Sequence, residues 1–156
     1  MAIKIYGRLS SANVQKINWF CEYADINVIN LNYGGVHGKT QTTEFKDMNP
    51  NSRVPVLDDD NFILYESNAI LRYLSKKFDI LVEEKKEISG KIDQWIDWGS
   101  FTFASPCSVL TAHKLSLPQD QRDETIANKA KKDIFNLLNI LNNHLAEKKF
   151  IVDEKF

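Results

Sequence analysis

The spacing of apolar and polar residues divides the chain into a first half in which short strands alternate with helices and a second half that is helical. Four short apolar runs predict β-strands, over Ile3–Tyr6, Asn27–Asn32, Val54–Leu57 and Phe62–Leu64. The last two flank a polar turn, Asp58–Asn61, and predict a hairpin, whereas the glycine-containing stretch Tyr33–Thr43 predicts a polar loop. Helical spacing predicts one helix after the capping serines Ser10 and Ser11, and another over Ser67–Phe78. This order, βαβ and then ββα, predicts an α/β unit with a mixed sheet.

Beyond Asp79 the pattern changes to helical spacing alone. Apolar residues lie three or four positions apart over Ile88–Phe103, and again over Ile126–Leu145. Pro106 follows the first of these stretches and is expected to interrupt or kink the helix, because proline lacks the N–H that a helix interior requires. We therefore expect a helical hairpin or part of a bundle.

Composition and charge exclude several classes of protein. The chain has 156 residues, a hydrophobic fraction of 43% and a net charge of −1, so it offers no electrostatic attraction for nucleic acid or an anionic membrane. No apolar run is long enough to span a bilayer, and the first residues do not have the pattern of a signal peptide. The two cysteines, Cys21 and Cys107, lie far apart, which fits a reducing cytoplasm, and we interpret both as small buried apolar residues.

The most specific chemistry is encoded in two neighbouring segments, Met48–Leu57 and Leu64–Leu74. In the first, Val54 can offer its backbone N–H and carbonyl to an extended, peptide-like ligand, while Pro55 fixes the turn; a cis peptide is accessible there at about 0.5–1 kcal/mol over trans. In the second, an acidic residue, Glu66, and a hydroxyl residue, Ser67, stand directly before an amphipathic helix. The unpaired N–H groups and the dipole at such a helix start attract a carboxylate.

Together with Ile3–Lys16 and Asp93–Trp98, these segments resemble the glutathione-binding half of soluble glutathione transferases, and look closest to bacterial theta-like or beta-like members. The resemblance covers nearly the whole chain. It implies a thioredoxin-like α/β domain over residues 1–79 and an all-α domain over residues 86–156. It also implies a cytoplasmic homodimer that conjugates the glutathione thiolate to a small hydrophobic electrophile without a metal.

By resemblance, the thiol-activating group belongs to the first strand-to-helix turn, which contains Ser10, Ser11 and Asn13. A hydroxyl at a helix N-terminus stabilises a thiolate through a hydrogen bond and the helix dipole, and so lowers the thiol pKa below its ordinary value of about 8.5. Alignment with theta-like enzymes indicates Ser10, whereas the bacterial Ser-x-Asn-Val pattern indicates Ser11, with Asn13 as a second donor. We favour Ser11. Without the resemblance, these residues need only cap the helix.

The resemblance also implies the contacts to glutathione. Ser67 would bind the γ-glutamyl carboxylate, Glu66 the ammonium group, and the backbone of Val54, preceding Pro55, the cysteinyl part. Candidates for the glycyl carboxylate are polar residues of the two loops, Lys39, Thr40 and Arg53.

The second-substrate pocket would be walled by the first helix of the second domain. The candidates there lie at helical spacing, a pattern that a packed core also produces: Trp98, Phe101, Thr102, Ser105 and Val109.

The last residues, Phe150–Phe156, look like the approach to a further helix, and members of the resembled family continue with several more. We therefore expect an incomplete helical domain with exposed apolar faces. Two alternatives to conjugation follow. One is glutathione-dependent disulfide or peroxide reduction, and the other is a non-catalytic glutathione-binding or scaffold module.

Overall fold

The computed structural model describes residues 3–152, and the chain divides into two compact units, Met1–Val82 and Glu83–Phe156. The first unit consists of β1 (Ile3–Tyr6), α1 (Ala12–Tyr23), β2 (Val28–Leu31), a 3-10 turn (Gly35–His37), α2 (Thr43–Met48), β3 (Val56–Asp59), β4 (Phe62–Tyr65) and α3 (Ser67–Phe78). Its sheet has the strand order β2-β1-β3-β4, in which β1 is parallel to β2 and antiparallel to β3. The mixed, thioredoxin-like sheet with helices is confirmed.

The core of this unit joins the sheet to α1 and α3. Alternate residues of β1 point into it, and so do residues at helical spacing on both helices. Its buried members are Ile3, Ile5, Val14, Ile17, Phe20, Cys21, Leu57, Ile70 and Leu74. Because this core contains residues of β1, β3, α1 and α3, it holds the first turns of the two helices in place.

The loop predicted after β2 is followed by a short helix, α2, that the sequence analysis did not predict. Phe45 is its only buried residue, and the Phe45 ring stacks on Tyr33 at a centroid distance of 5.2 Å. Thr42 caps the helix, since its hydroxyl oxygen accepts a hydrogen bond from the Phe45 N–H at 3.3 Å. Six residues with a single buried side chain are too few to show a helical period.

Strand β3 begins at Val56, two residues later than predicted. The Val54–Pro55 peptide is cis, and Pro55 has no N–H to give to a sheet, so this pair forms the turn before the strand. The predicted helix over Ser67–Phe78 is confirmed at both ends.

The second unit is helical, as predicted. It consists of α4 (Lys86–Asp97), a π-helical segment (Trp98–Phe103), α5 (Ala104–Thr111), a second π-helical segment (Ala112–Ser116), a 3-10 turn (Gln119–Gln121) and α6 (Glu124–Leu145). The interruption expected near Pro106 takes the form of the first π-helical segment, and Pro106 itself follows directly after it, in α5.

Apolar side chains of the second unit are largely uncovered, as expected. Within residues 83–152, only Ala127 and Ala130 are buried apolar residues. Ile151 is exposed and Phe150 is partly buried, whereas Phe156 lies outside the described residues.

Candidate functional site

The N-terminus of α1 presents a serine hydroxyl that is not used for capping. Ser11 is the N-cap residue and has an extended backbone, yet its side chain makes no capping hydrogen bond. It is partly buried, whereas Ser10 is exposed. Unlike an ordinary N-cap serine, whose oxygen binds a backbone N–H, Ser11 retains a hydroxyl that can donate to an anion.

The N-terminus of α3 is joined to the first turns of α1 by two side-chain hydrogen bonds. Ser67 is buried, and its hydroxyl donates to Asn13 Oδ1 at 3.2 Å. One turn along α1, Lys16 Nζ donates to Asn68 Oδ1 at 2.5 Å. Glu66 precedes the helix as an exposed residue with a φ of 70°, in the left-handed region.

Lys16 and Asn68 were missed by the sequence analysis. Burial lowers the pKa of the Lys16 ammonium, and the nearby Glu66 carboxylate opposes that effect. A usable signal was present, because Lys16 follows Asn13 by three positions and therefore shares its face of α1. The hydrogen bonds of Lys16 and Ser67 thus hold the N-terminus of α1 in a fixed position relative to the N-terminus of α3.

The turn before β3 leaves a backbone donor and acceptor unpaired. Among the described residues, neither the Val54 N–H nor its carbonyl has a hydrogen-bond partner. The Val54 side chain lies between two glycines, since a Cβ placed on Gly7 or Gly34 would come within 3.3 Å and 3.4 Å of it. Pro55 is buried beside it. The main chain of Val54 is thus fixed in place and available to an extended ligand.

Asn49 shapes this turn and was also missed. It is buried, its amide donates to the Arg53 carbonyl at 2.7 Å, and its Oδ1 accepts from the Asn51 N–H at 3.0 Å. The sequence signal is the Asn-Pro-Asn segment, because asparagine side chains commonly bond the backbone two residues on.

The structure leaves the residues proposed for the glycyl carboxylate at the surface. Lys39 and Arg53 are exposed, and Thr40 is partly buried. The Lys39 ammonium lies 5.2 Å from the centre of the Tyr33 ring, which holds it near the loop. His37 is also exposed.

Four of the five residues proposed for the second-substrate wall line one groove within the helical unit. The groove has a volume of about 570 Å³, and α6 forms its other side. These four are Phe101, Thr102, Ser105 and Val109. Trp98 lies elsewhere, edge-on to Trp95 at 5.2 Å and stacked on Phe103 at 5.7 Å. These four residues therefore line a groove, whereas their spacing in the sequence would equally fit residues of a packed core.

Two other side chains that could take part in a reaction, those of Tyr6 and Cys21, are packed within the first unit. Tyr6 packs edge-on to Tyr33 at 5.1 Å, and burial together with the Asp58 charge raises the pKa of its phenol. Burial raises the pKa of the Cys21 thiol to about 11, so it does not form a thiolate at neutral pH.

Over residues 3–152, no three His, Cys, Asp or Glu side chains are grouped to bind a metal ion. In the same range, no helix is both long and apolar enough to cross a membrane.

Comparison with known proteins adds independent information. Residues 1–76 match the model of the glutathione S-transferase N-terminal domain. The chain is 28% identical to glutathione S-transferase GstB of Escherichia coli K12 over 158 residues, which cover 99% of this chain and 76% of GstB. It is also 33% identical over 107 residues to elongation factor 1-gamma of Danio rerio, covering 68% of this chain and 23% of that protein.

Among solved structures, the chain is similar to a theta class glutathione S-transferase of the citrus canker pathogen Xanthomonas axonopodis pv. citri, determined with glutathione bound. The TM-score is 0.92 and the identity 32%, over 99% of this chain and 75% of that chain. The likeness thus extends through both units.

Proposed function

The chain belongs to the glutathione S-transferase family, and from that premise we propose that it binds glutathione on its first unit and transfers the thiolate to a small hydrophobic electrophile. One observation carries this proposal. The Ser11 hydroxyl and the Val54 backbone, which this chemistry requires, have no hydrogen-bond partner among the described residues. Ser11 and Val54 are partly buried, and polar groups withdrawn from water are normally paired, so an unpaired set at one end of a sheet favours a polar ligand.

The proposed mode of binding follows the polarity of these groups. The γ-glutamyl carboxylate lies at the N-terminus of α3, where backbone N–H groups bind it together with the Ser67 hydroxyl, which exchanges Asn13 Oδ1 for the carboxylate, and Glu66 faces the ammonium group. The cysteinyl part pairs with the Val54 backbone as an added strand does. Lys39, Thr40 and Arg53 serve the glycyl carboxylate from the surrounding loops.

Ser11 is the proposed thiol-activating residue. Its hydroxyl is uncommitted, whereas Asn13 Oδ1 accepts a hydrogen bond from Ser67 and Ser10 is exposed. Donation from Ser11 to the sulfur, in the field of α1, stabilises the thiolate and lowers the thiol pKa. Asn13 remains a second donor through its amide nitrogen, because its oxygen alone is engaged.

Transfer then needs only proximity. The bound thiolate attacks the electrophile, the leaving group departs with the bonding electron pair, and no covalent intermediate forms on the protein. We assign the electrophile to the groove that Phe101 lines, apart from Trp98, within a helical domain over residues 86–156 that follows a glutathione-binding domain over residues 1–79. We further propose a cytoplasmic homodimer.

A second candidate is a non-catalytic glutathione-binding or scaffold module. The chain is 33% identical over 107 residues to elongation factor 1-gamma, a protein whose name is not that of a transferase. This similarity favours the scaffold. This candidate keeps the ligand contacts at Val54 and Ser67 but not the activation of the thiol.

A pH titration of thiolate absorbance with glutathione bound separates the two candidates. We expect the bound thiol pKa to lie roughly one to two units below that of free glutathione, and Ser11→Ala to remove most of that decrease with little change in affinity. Ser10→Ala is the matched control and should leave both quantities unchanged. Binding without a lowered pKa would favour the scaffold, and a loss confined to Ser10→Ala would move the activating role by one residue. If the wild-type chain binds no glutathione, both candidates fail.

A further inference from the structure

The turn between β1 and α1 carries a partly buried cation for which the proposed function has no role. Arg8 follows Gly7, and its carbonyl accepts a hydrogen bond from the Ser11 N–H at 3.0 Å. The residue is therefore built into the same turn that presents the Ser11 hydroxyl.

The Arg8 side chain lies against a pair of glycines in the loop after β2. A Cβ placed on Gly35 would come within 2.9 Å of Arg8 Cδ and 3.1 Å of Nε, and one on Gly34 within 3.3 Å of Nη1. Both glycines have a positive φ, of 58° and 78°, that other residues rarely adopt. The Cβ placed on Gly34 would also come within 3.4 Å of the Val54 side chain, so the Arg8 guanidinium and that side chain lie on the same side of Gly34.

Among the described residues, Arg8 lacks the carboxylate or carbonyl partner that several other cations of this chain have. Lys4 and Lys114 each pair with a carboxylate, and Arg122 donates to the carbonyls of Leu117 and Leu115 at 2.9 and 3.0 Å. Among residues 3–152, the guanidinium of Arg8 makes no such ion pair or hydrogen bond. Arg8 is partly buried, and a guanidinium without a protein partner can form charge-assisted hydrogen bonds to an anion.

We propose that Arg8 binds a carboxylate of a ligand at the β1–α1 turn. The planar guanidinium fork matches a carboxylate with two parallel N–H···O bonds, and the glycine pair fixes the plane of the fork. This proposal rests on the proposed glutathione site. Two sources of the carboxylate are compatible with the geometry. One is the glycyl end of glutathione, and the other is a second substrate that bears a carboxylate.

The first experiment observes the guanidinium directly in the full-length chain. With ¹⁵N-labelled arginine, the Nε–H resonance of Arg8 is assigned by its absence in Arg8→Gln. We expect this resonance to shift on titration with 4-methylbenzoate and to stay in place with the neutral 4-methylbenzamide. This measurement needs no glutathione, so it decides on Arg8 even if the proposed function fails.

The second experiment identifies the source of the carboxylate. Calorimetry compares glutathione with its glycyl ethyl ester, and kinetics compare 4-(bromomethyl)benzoate with 4-(bromomethyl)benzamide. If the glycyl end is bound, Arg8→Gln weakens glutathione about tenfold and leaves the ester unaffected. If the second substrate is bound, glutathione affinity is retained and kcat/KM falls about tenfold for the benzoate alone.

Two control variants separate a lost contact from a lost charge. Lys132→Gln removes an exposed cation of α6 and should change neither ratio. Arg8→Lys keeps the charge without the fork and should recover only part of the effect. The proposal is overturned if the Arg8 resonance ignores 4-methylbenzoate and Arg8→Gln changes neither ligand pair. If the wild-type chain binds no glutathione, the proposed function fails, and the benzoate titration alone decides on Arg8.

Discussion

The two units of this chain bury their apolar side chains to very different degrees. In the first unit, residues such as Ile5 and Leu57 are completely buried in a core closed by the sheet, α1 and α3. In the second, Phe101 is 76% exposed and Leu115 is 73% exposed. The candidates for binding glutathione project from the unit with the closed core. Precise placement of hydroxyl and backbone groups requires such support, because a displacement of an ångström weakens a hydrogen bond severely.

The helical unit instead has polar contacts at the connection between α5 and α6. The His113 Nδ1 accepts a hydrogen bond from the Asp123 N–H at 3.1 Å, and Lys114 pairs with Glu124 at 2.7 Å. These groups are near solvent, where each contact contributes little to stability. The comparison therefore predicts that substitutions in the two units have unequal consequences.

The largest expected effect is that of truncating a core residue of the first unit. Leu57→Ala should lower the free energy of unfolding by about 2–5 kcal/mol, since it removes buried methyl groups and leaves a cavity. The matched variant, Leu115→Ala, removes the same atoms from an exposed position of the helical unit and should change stability by less than about 0.5 kcal/mol. Urea denaturation followed by circular dichroism measures both. Equal losses would remove the proposed contrast between the units.

The two cysteines report the same contrast without any mutation. Cys21 is buried, and burial raises its pKa to about 11, whereas Cys107 is partly exposed in α5. At pH 8 we expect iodoacetamide to modify Cys107 at least about 100-fold faster than Cys21, because the reactive thiolate of Cys21 is both rare and inaccessible. Mass spectrometry of tryptic peptides gives the two rates. In urea the rates should converge, and a difference that persisted there would contradict burial as its cause.

Much of the fold could be predicted because its elements carry strong local signals. The helix predicted over about Ser67–Phe78 has apolar residues one turn apart at Ile70 and Leu74, and the observed boundaries agree with the predicted ones. Helix α2 was missed because its stability depends on Phe45 stacking with Tyr33, a contact without a periodic pattern. The family resemblance is confirmed, and the domain boundaries at residues 79 and 86 stay a prediction.

The candidate site was predictable only where a motif contains its residues. Ser11, Val54 and Ser67 lie in recognisable segments, and their roles stay predictions. Lys16 could have been found from its position one turn after Asn13, but its pairing with Asn68, 52 positions away, has no local signal. Arg8 was missed for the same reason, since its neighbours are the glycines after β2.

A smaller effect is expected from the N-cap of α6. Asp123 Oδ1 accepts hydrogen bonds from the Thr125 and Ile126 N–H groups at 2.7 and 3.1 Å. Asp123→Ala should lower stability by about 0.5–2 kcal/mol, while Asp123→Asn should retain most of it, because asparagine is an equally good cap. Hydrogen exchange resolved by peptide should show faster exchange in α6 and no change in α1. Faster exchange in both helices would mean that the units do not differ as proposed.

The smallest effect tests whether the first unit also depends on an ion pair. Asp59 accepts a hydrogen bond from the Tyr73 hydroxyl at 2.6 Å and pairs with Lys77. Burial raises the pKa of Asp59, but the hydrogen bonds from Lys77 and Tyr73 outweigh it and hold the pKa below its ordinary value. A lowered carboxyl pKa contributes stability above the unfolded value of about 3.9, and that contribution is lost as the pH falls through the folded value.

For Asp59→Asn we therefore expect a loss of about 1 kcal/mol or less at pH 7, discounted because Lys77 is partly exposed. The difference from wild type should disappear at pH values below the folded pKa, where the wild-type carboxyl is also neutral. Asp120→Asn, at an exposed position of the helical unit, is the control and should leave the pH profile of stability unchanged. Thermal melts from pH 7 down to about pH 2.5 measure these differences. A constant difference between Asp59→Asn and wild type across that range would show that the substitution acts through packing rather than through charge.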